Sequence, residues 1–245
     1  MRDSILKITE NIPLTKTVYR MKLSGDVSAI TSPGQFVNIK LDGFYLRRPI
    51  SVCDCENGVL TIIYKVVGKG TEKMSEMKVG AEVSVLTGLG NGYNTEVSGE
   101  KPVLIGGGVG VPPLYMLAKK LIANGKKVTV ILGFNTEEEI FCEEDFKELG
   151  AEVLVATADG SYGVKGFVTD ALKDVDYTYF YTCGPEPMLK ALYKATATSG
   201  QFSFEERMGC GFGACMGCSC KTITGYKRIC KDGPVLEKEE ILWAD

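Results

Sequence analysis

Lys101-Pro102-Val103-Leu104-Ile105-Gly106-Gly107-Gly108-Val109-Gly110-Val111-Pro112-Pro113-Leu114 is where the chain changes character. Val103-Leu104-Ile105 has the length and apolarity of a short buried strand. Glycines follow, and Pro112 and Pro113 stand where a helix starts. Beyond them Leu114, Leu117, Ala118, Leu121 and Ile122 recur at helical spacing as one apolar face, which Gly125 ends. Strand and helix then alternate. Residues 128–132 read as a strand, and Ile140, Phe141 and Phe146 as part of a helical stretch stopped by Gly150. Residues 153–155 and 177–183 read as strands, and 186–198 as a helix stopped by Gly200. This alternation predicts an α/β unit with a mostly parallel sheet, assigned to residues 99–203.

Upstream, residues 1–98 carry a different signal. Phe36-Val37-Asn38-Ile39-Lys40-Leu41 and Leu60-Thr61-Ile62-Ile63-Tyr64-Lys65-Val66-Val67 mix β-branched residues with alternating polar ones. Pro33-Gly34, Asp42-Gly43, Asn57-Gly58 and Gly88-Leu89-Gly90 punctuate them. Short strands at this spacing predict a small antiparallel β-barrel. Downstream, residues 204–245 lose periodicity and become rich in Cys and Gly, which predicts a small irregular module shaped by a metal. The expected architecture is therefore a β-barrel plus α/β chain of three domains.

Composition narrows the chemistry. The 245 residues are 44% apolar, enough for real cores. A net charge of −3 gives no indication of nucleic acid or an anionic membrane as partner. No apolar run is long enough to span a membrane, and Arg2, Asp3, Lys7 and Glu10 break any signal-peptide pattern, so a cytoplasmic location is expected. There is no histidine, which removes Ser-His triads, His-ligated zinc, Rieske clusters and haem on a proximal His. Nine cysteines in a chain without a secretion signal point to metal or redox chemistry rather than a disulfide framework.

Four of them are spaced Cys210-x4-Cys215-x2-Cys218-x11-Cys230. A C-x4-C-x2-C run with a distal fourth cysteine is the plant-type [2Fe–2S] arrangement. Gly209, Gly211, Gly213, Ala214 and Gly217 let the backbone wrap closely and aim amides at the sulfurs. Structural zinc is the alternative, but it prefers paired C-x2–4-C knuckles and this segment has one such pair plus singles. A disulfide pair is a third reading. Cys220 reads as a strand residue; Cys53, Cys55 and Cys142 read as core or surface thiols.

Two weaker signals lie in the barrel. Arg48-Pro49-Ile50-Ser51 enters a strand, where an arginine can grip a phosphate and a serine hydroxyl can meet a flavin ring edge. Gly68-Lys69-Gly70-Thr71 precedes a short helical stretch, a context for binding phosphate through free amides. Alone, the first is usually a solvated side chain and the second a turn. In the α/β half, Gly107, Gly108 and Gly110 have the strand-to-helix context for a pyrophosphate without matching G-x-G-x-x-G. A ligand-free turn is the alternative. Cys183-Gly184-Pro185-Glu186-Pro187-Met188 sits at a strand's C-terminal end, where open α/β sheets bind ligands.

R-x-x-S on a barrel, G-x-x-T after it, a glycine loop and the C-G-P-x-x-M strand end together resemble the ferredoxin–NADP⁺ reductase superfamily. The segment from Glu205, Arg207 and Met208 into Cys210, Gly211, Gly213, Cys215 and Cys218 narrows this. Over almost its whole length the chain resembles the electron-transfer subunits of type 1B dihydroorotate dehydrogenases. The resemblance implies FAD contacts at Arg48, Pro49, Ile50, Ser51, Ile63, Tyr64, Lys65, Gly70 and Thr71, with Cys183 and Gly184 near a nicotinamide. Many reductases place an aromatic at the Ile50 position; here the flavin contact must be aliphatic. The acidic run Glu137-Glu138-Glu139, where a 2′-phosphate would want arginine, predicts NAD over NADP. The implied partner is an FMN-containing dihydroorotate dehydrogenase catalytic subunit in a heterotetramer of two plus two. Electrons would run from that FMN through the [2Fe–2S] cluster and FAD to NAD⁺. The rivals are the reductase subunit of a hydrogenase or of a ferredoxin:NADP⁺ oxidoreductase and, from another class, a zinc-stabilised binding protein.

Overall fold

The computed structural model describes residues 1–243. The first six strands are β1 (Arg2–Pro13), β2 (Val18–Ser24), β3 (Phe36–Ile39), β4 (Arg48–Glu56), β5 (Val59–Lys65) and, after helix α1 (Lys69–Ser75), β6 (Glu82–Leu89). They close an antiparallel barrel in the order β1-β2-β5-β4-β3-β6. Period-two alternation drives the closure. Leu6 and Ile8, Met21 and Leu23, Leu60 and Ile62, and Val83 and Val85 face one interior cluster. β3 departs from this pattern because all four of its residues are buried. Val37 and Ile39 face the barrel interior. Phe36 instead packs outward against Cys218, Ile229, Cys230 and Leu236.

The α/β half runs β7 (Pro102–Gly107), α2 (Pro113–Ala123), β8 (Thr129–Phe134), α3 (Glu143–Glu148), β9 (Glu152–Thr157), β10 (Val164–Lys165), α4 (Val168–Leu172), β11 (Tyr179–Cys183), α5 (Glu186–Ala195) and β12 (Gly200–Ser203). A hairpin of β13 (Ser219–Thr222) and β14 (Gly225–Arg228) follows, then β15 (Val235–Glu237). The sheet order is β10-β9-β8-β7-β11-β12-β15, parallel except for β15, which pairs antiparallel with β12. Every residue of β7 is buried, as a central parallel strand covered on both faces must be. Leu104 packs with α2, and Val103 and Ile105 pack with α4 and α5 on the other face.

Three local expectations are corrected. Ile140 and Phe141 are not helical: Phe141 packs edge-on to Phe134 at 5.3 Å, and Cys142 turns the chain at φ 64° before α3 begins at Glu143. Burial of that aromatic pair outweighs helical continuation. The helix expected over 186–198 ends at Ala195, and Gly200 opens β12 instead of merely stopping a helix; a Cβ there would meet the Phe180 ring at 2.3 Å. The cysteine-rich tail is less irregular than its composition implied, since it forms a hairpin and supplies the sheet's seventh strand.

The two halves share one core. Val18, Cys53 and Ile63 of the barrel pack with Leu104, Leu114 and Leu117 of the α/β half. Lys119 on α2 reaches across to Asp54 at 3.1 Å and Glu56 at 2.5 Å. Tyr93, buried in the connecting segment, donates to the Thr182 carbonyl oxygen at 3.2 Å.

Candidate electron-transfer site

The two barrel motifs meet. A Cβ on Gly70 would stand 2.1 Å from Nε of Arg48, so the guanidinium lies directly over the start of α1, and only glycine leaves it room. Arg48 also covers the Phe44 ring at 4.7 Å and donates to the Leu46 carbonyl. Thr71 Oγ1 accepts the Val67 and Gly68 N–H groups at 2.9 and 3.2 Å and donates to Gly68 O at 3.0 Å. Thr71 therefore uses two of the loop amides to hold the turn. The N–H groups of Lys69, Gly70 and Thr71 precede the first intrahelical bond, from Glu72 to Gly68 O at 2.9 Å. Arg48, Pro49, Ile50 and Ser51 are all half-buried, a strip along β4 that neither core covers fully.

On β5, Ile63 and Tyr64 are buried and Lys65 is half-buried. The Tyr64 side chain points into the barrel core, where its hydroxyl donates to Asn11 Oδ1 at 3.1 Å. A ligand beside β5 therefore meets Tyr64 through its backbone. Alternation alone could have shown this, because Ile62 and Tyr64 share one face.

Lys65 brings the barrel to the glycine loop. A cleft of about 30 Å³ is lined by Lys65, Thr17, Gly108, Val109, Phe134 and Glu139, among others. Gly108, at φ +52°, has nothing within 4 Å of a Cβ position and faces open space. Gly110 is the opposite: its Cβ would lie 2.3 Å from the Cys183 carbonyl oxygen and 2.6 Å from Gly184 Cα. A Cβ on Gly107 would meet Met188 Sδ at 2.6 Å. The glycines thus serve strand-end packing as much as ligand approach. Burial, eased by the Ser203 hydroxyl, pushes the Cys183 thiol up to about 12, so it stays neutral. Beside the cleft, Asn135 holds the Glu139 carboxylate through its backbone N–H (3.2 Å) and Nδ2 (2.8 Å).

The four cysteines come as two pairs. The backbone links them: the Cys215 N–H points at Cys210 Sγ, and the Cys230 N–H at Cys218 Sγ. Among the described residues, no three His, Cys, Asp or Glu side chains group around a single metal ion. Two sulfur pairs suit a binuclear cluster, with two thiolates per iron, better than one tetrahedral zinc. Amides point at the sulfurs: Ala214 and Cys215 N–H to Cys210 Sγ at 3.3 and 3.4 Å, and Cys230 N–H to Cys218 Sγ at 3.4 Å. Burial raises the Cys210 thiol, but backbone bonds from Cys215, Phe212 and Ala214 outweigh it and bring it down to about 6. Cys218 and Cys230 are buried, while Cys215, Phe212 and Met216 are exposed. The residues thus fit a cluster seated on the barrel with one side open. Cys220 lies in β13, outside both pairs.

Sequence reasoning missed what seats this loop. Arg228 donates to Gly213 O at 3.0 Å and is held by Asp232, also at 3.0 Å. Asn91 Nδ2 donates to the Lys231 and Asp232 carbonyls at 3.2 and 3.3 Å. Asn38 Nδ2 donates to Cys210 O at 3.3 Å. These partners lie up to 172 residues apart, and no local pattern marks them.

Comparison with known proteins agrees with this geometry. Residues 205–242 match the iron-sulfur cluster binding domain of dihydroorotate dehydrogenase B, and 104–194 match an oxidoreductase NAD-binding domain. A dihydroorotate dehydrogenase B (NAD(+)) electron transfer subunit of Fusobacterium nucleatum is 46% identical, covering 93% of this chain and 94% of that protein. One from a Geobacillus species is 42% identical over 99% of both. Among solved structures, an NADH-dependent reduced ferredoxin-NADP oxidoreductase superposes with a TM-score of 0.88 at 32% identity, covering 98% of this chain and 90% of that one. The chain belongs to the family of dihydroorotate dehydrogenase B electron transfer subunits.

Proposed function

We propose that this chain is the electron-transfer subunit of an NAD-dependent dihydroorotate dehydrogenase of pyrimidine biosynthesis. It would work in the cytoplasm with an FMN-containing catalytic subunit, two of each. Bound FAD would exchange hydride with NAD(H) and single electrons with a [2Fe–2S] cluster, chemistry that belongs to the cofactors. The chain's residues bind and orient. Arg48, freed over Gly70, is placed for the FAD pyrophosphate, with the N–H groups at the start of α1 beside it. Ser51 and the backbone of Ile63, Tyr64 and Lys65 border the flavin ring. Gly107, Gly108 and Gly110 with Cys183 and Gly184 shape the nicotinamide side, and the acidic Glu139 beside the cleft favours NAD over NADP. Cys210, Cys215, Cys218 and Cys230 hold the cluster, whose open side at Cys215 faces the partner.

One observation carries this reading: Arg48 meets Gly70, Lys65 meets Gly108, and β3 meets Cys210, so three distant motifs converge on one side of the barrel. Sequence identity favours the dihydroorotate enzyme over a ferredoxin:NADP⁺ oxidoreductase, at 46% against 32%. The domain division 1–98, 99–203 and 204–245 then corresponds to flavin, nicotinamide and cluster binding. Among the described residues no helix is long and apolar enough to cross a membrane.

The test is Cys215→Ser in the complex with its catalytic partner. Flavin reduction by NADH should stay near the parent rate while electron passage to the partner stops; Cys220→Ser should change neither. Unchanged passage in Cys215→Ser would overturn the reading.

A further inference from the structure

β3 links the flavin strip to the cluster loop. Its outward residues, Phe36 and Asn38, are opposite Ser51 and Pro49 of the flavin strip on β4. Paired residues of antiparallel strands share a face, with Cα atoms about 4.5–5.5 Å apart. The cluster loop covers this same face. Phe36 packs with Cys218 and Cys230. Asn38 donates from Nδ2 to the carbonyl of Cys210, and a Cβ on Gly211 would stand 2.4 Å from that nitrogen. The Asn38 backbone is itself gripped, its carbonyl accepting from Arg47 Nη1 at 3.3 Å.

Asn38 is 2% exposed, and its Oδ1 has no hydrogen-bond partner among the described residues. A buried amide with one end unmet is a poor way to fill space; leucine, with the same branching, would leave nothing unpaired. The amide's presence is explained by its donor end. Cys210 is the only cluster cysteine whose carbonyl is held by a barrel side chain among the described hydrogen bonds. The loop amides that point at Cys210 Sγ come four and five residues after it, at Ala214 and Cys215.

We propose that Asn38 is a positioning residue for electron passage between FAD and the cluster. It fixes the Cys210 end of the cluster loop against the strand paired with the flavin-binding segment. The inference rests on the function proposed above, but the two fail differently. Absence of flavin and iron–sulfur bands from the purified parent complex would sink that function. Asn38 variants test the positioning role only once those bands are present.

The experiment uses the FAD- and cluster-loaded chain assembled with its catalytic partner. Asn38→Leu removes the donor while keeping the branched shape. Asn38→Asp keeps the shape but turns an oxygen toward the Cys210 carbonyl. Asn38→Ser keeps a shorter donor. Expected are parental FAD content and flavin reduction by NADH within twofold. Cluster reduction by the flavin should be at least tenfold slower in Asn38→Leu and Asn38→Asp, with a shifted cluster midpoint potential and EPR spectrum. Asn38→Ser should fall between those variants and the parent. Loaded variants with parental potential, EPR spectrum and cluster-reduction rate would overturn the proposal. So would loss of the cluster in all three, because Asn38 would then be a residue needed only for folding.

Discussion

Gly110→Ala should separate nicotinamide chemistry from the rest of the molecule. The added methyl would lie 2.3 Å from the carbonyl oxygen of Cys183, 2.5 Å from its carbonyl carbon and 2.6 Å from Gly184 Cα. All three are backbone atoms, so no side chain can swing away. Ordinary contact begins near 3.4 Å, and the glycine loop must part from the end of β11 by about 1.1 Å. Overpacking of this kind costs about 1–3 kcal/mol of stability, which a protein of this size tolerates. Its functional cost is larger, because a displacement of about 1 Å in a positioning segment can lower a rate roughly 100-fold. The assay is anaerobic stopped-flow bleaching of the flavin band by NADH. Gly125→Ala, after α2, is the control: at φ +77° its Cβ meets nothing within 4 Å, so it carries only αL strain, about 1–2 kcal/mol, without touching the loop or β11. Flavin and iron–sulfur absorbance should match the parent in both variants. Reduction of Gly110→Ala by NADH within twofold of the parent would refute the claim that this loop and the β11 end form the nicotinamide site.

Two further outcomes follow from the barrel. Gly70→Ala puts a methyl 2.1 Å from Arg48 Nε and must displace the guanidinium; losing a charge-assisted bond of about 1.5–3 kcal/mol should weaken FAD binding roughly 10- to 100-fold by fluorescence titration. Adding Arg48→Ala to that variant should then weaken binding little more, since both changes remove one interaction. Tyr64→Phe leaves Asn11 Oδ1 without its donor and should cost about 1–2 kcal/mol in urea unfolding, with FAD affinity unchanged; a large loss of FAD affinity would show that the Tyr64 hydroxyl, not its backbone, meets the ligand.

What could be read from sequence was what depends on neighbours along the chain. The cysteine spacing specifies a loop around a cluster because four residues of one segment must reach two irons. The apolar spacing from Leu114 to Ile122 specifies α2 because helical periodicity is local. The strand alternation of the first 98 residues announced a barrel for the same reason. Where packing competes with local preference, the reading failed: Phe141 leaves a helix to pack on Phe134, and Gly200 joins a sheet where it was expected only to stop a helix. The tail beyond residue 204 looked irregular because the strand that organises β15 is β12, some thirty residues upstream. Convergence was the tertiary structure's own contribution. Arg48 over Gly70, Lys65 beside Gly108 and Asn38 under Cys210 join segments 22, 43 and 172 positions apart, by the numbering. Such contacts are set by how the barrel closes and which of its sides is covered, and no stretch of neighbouring residues encodes either.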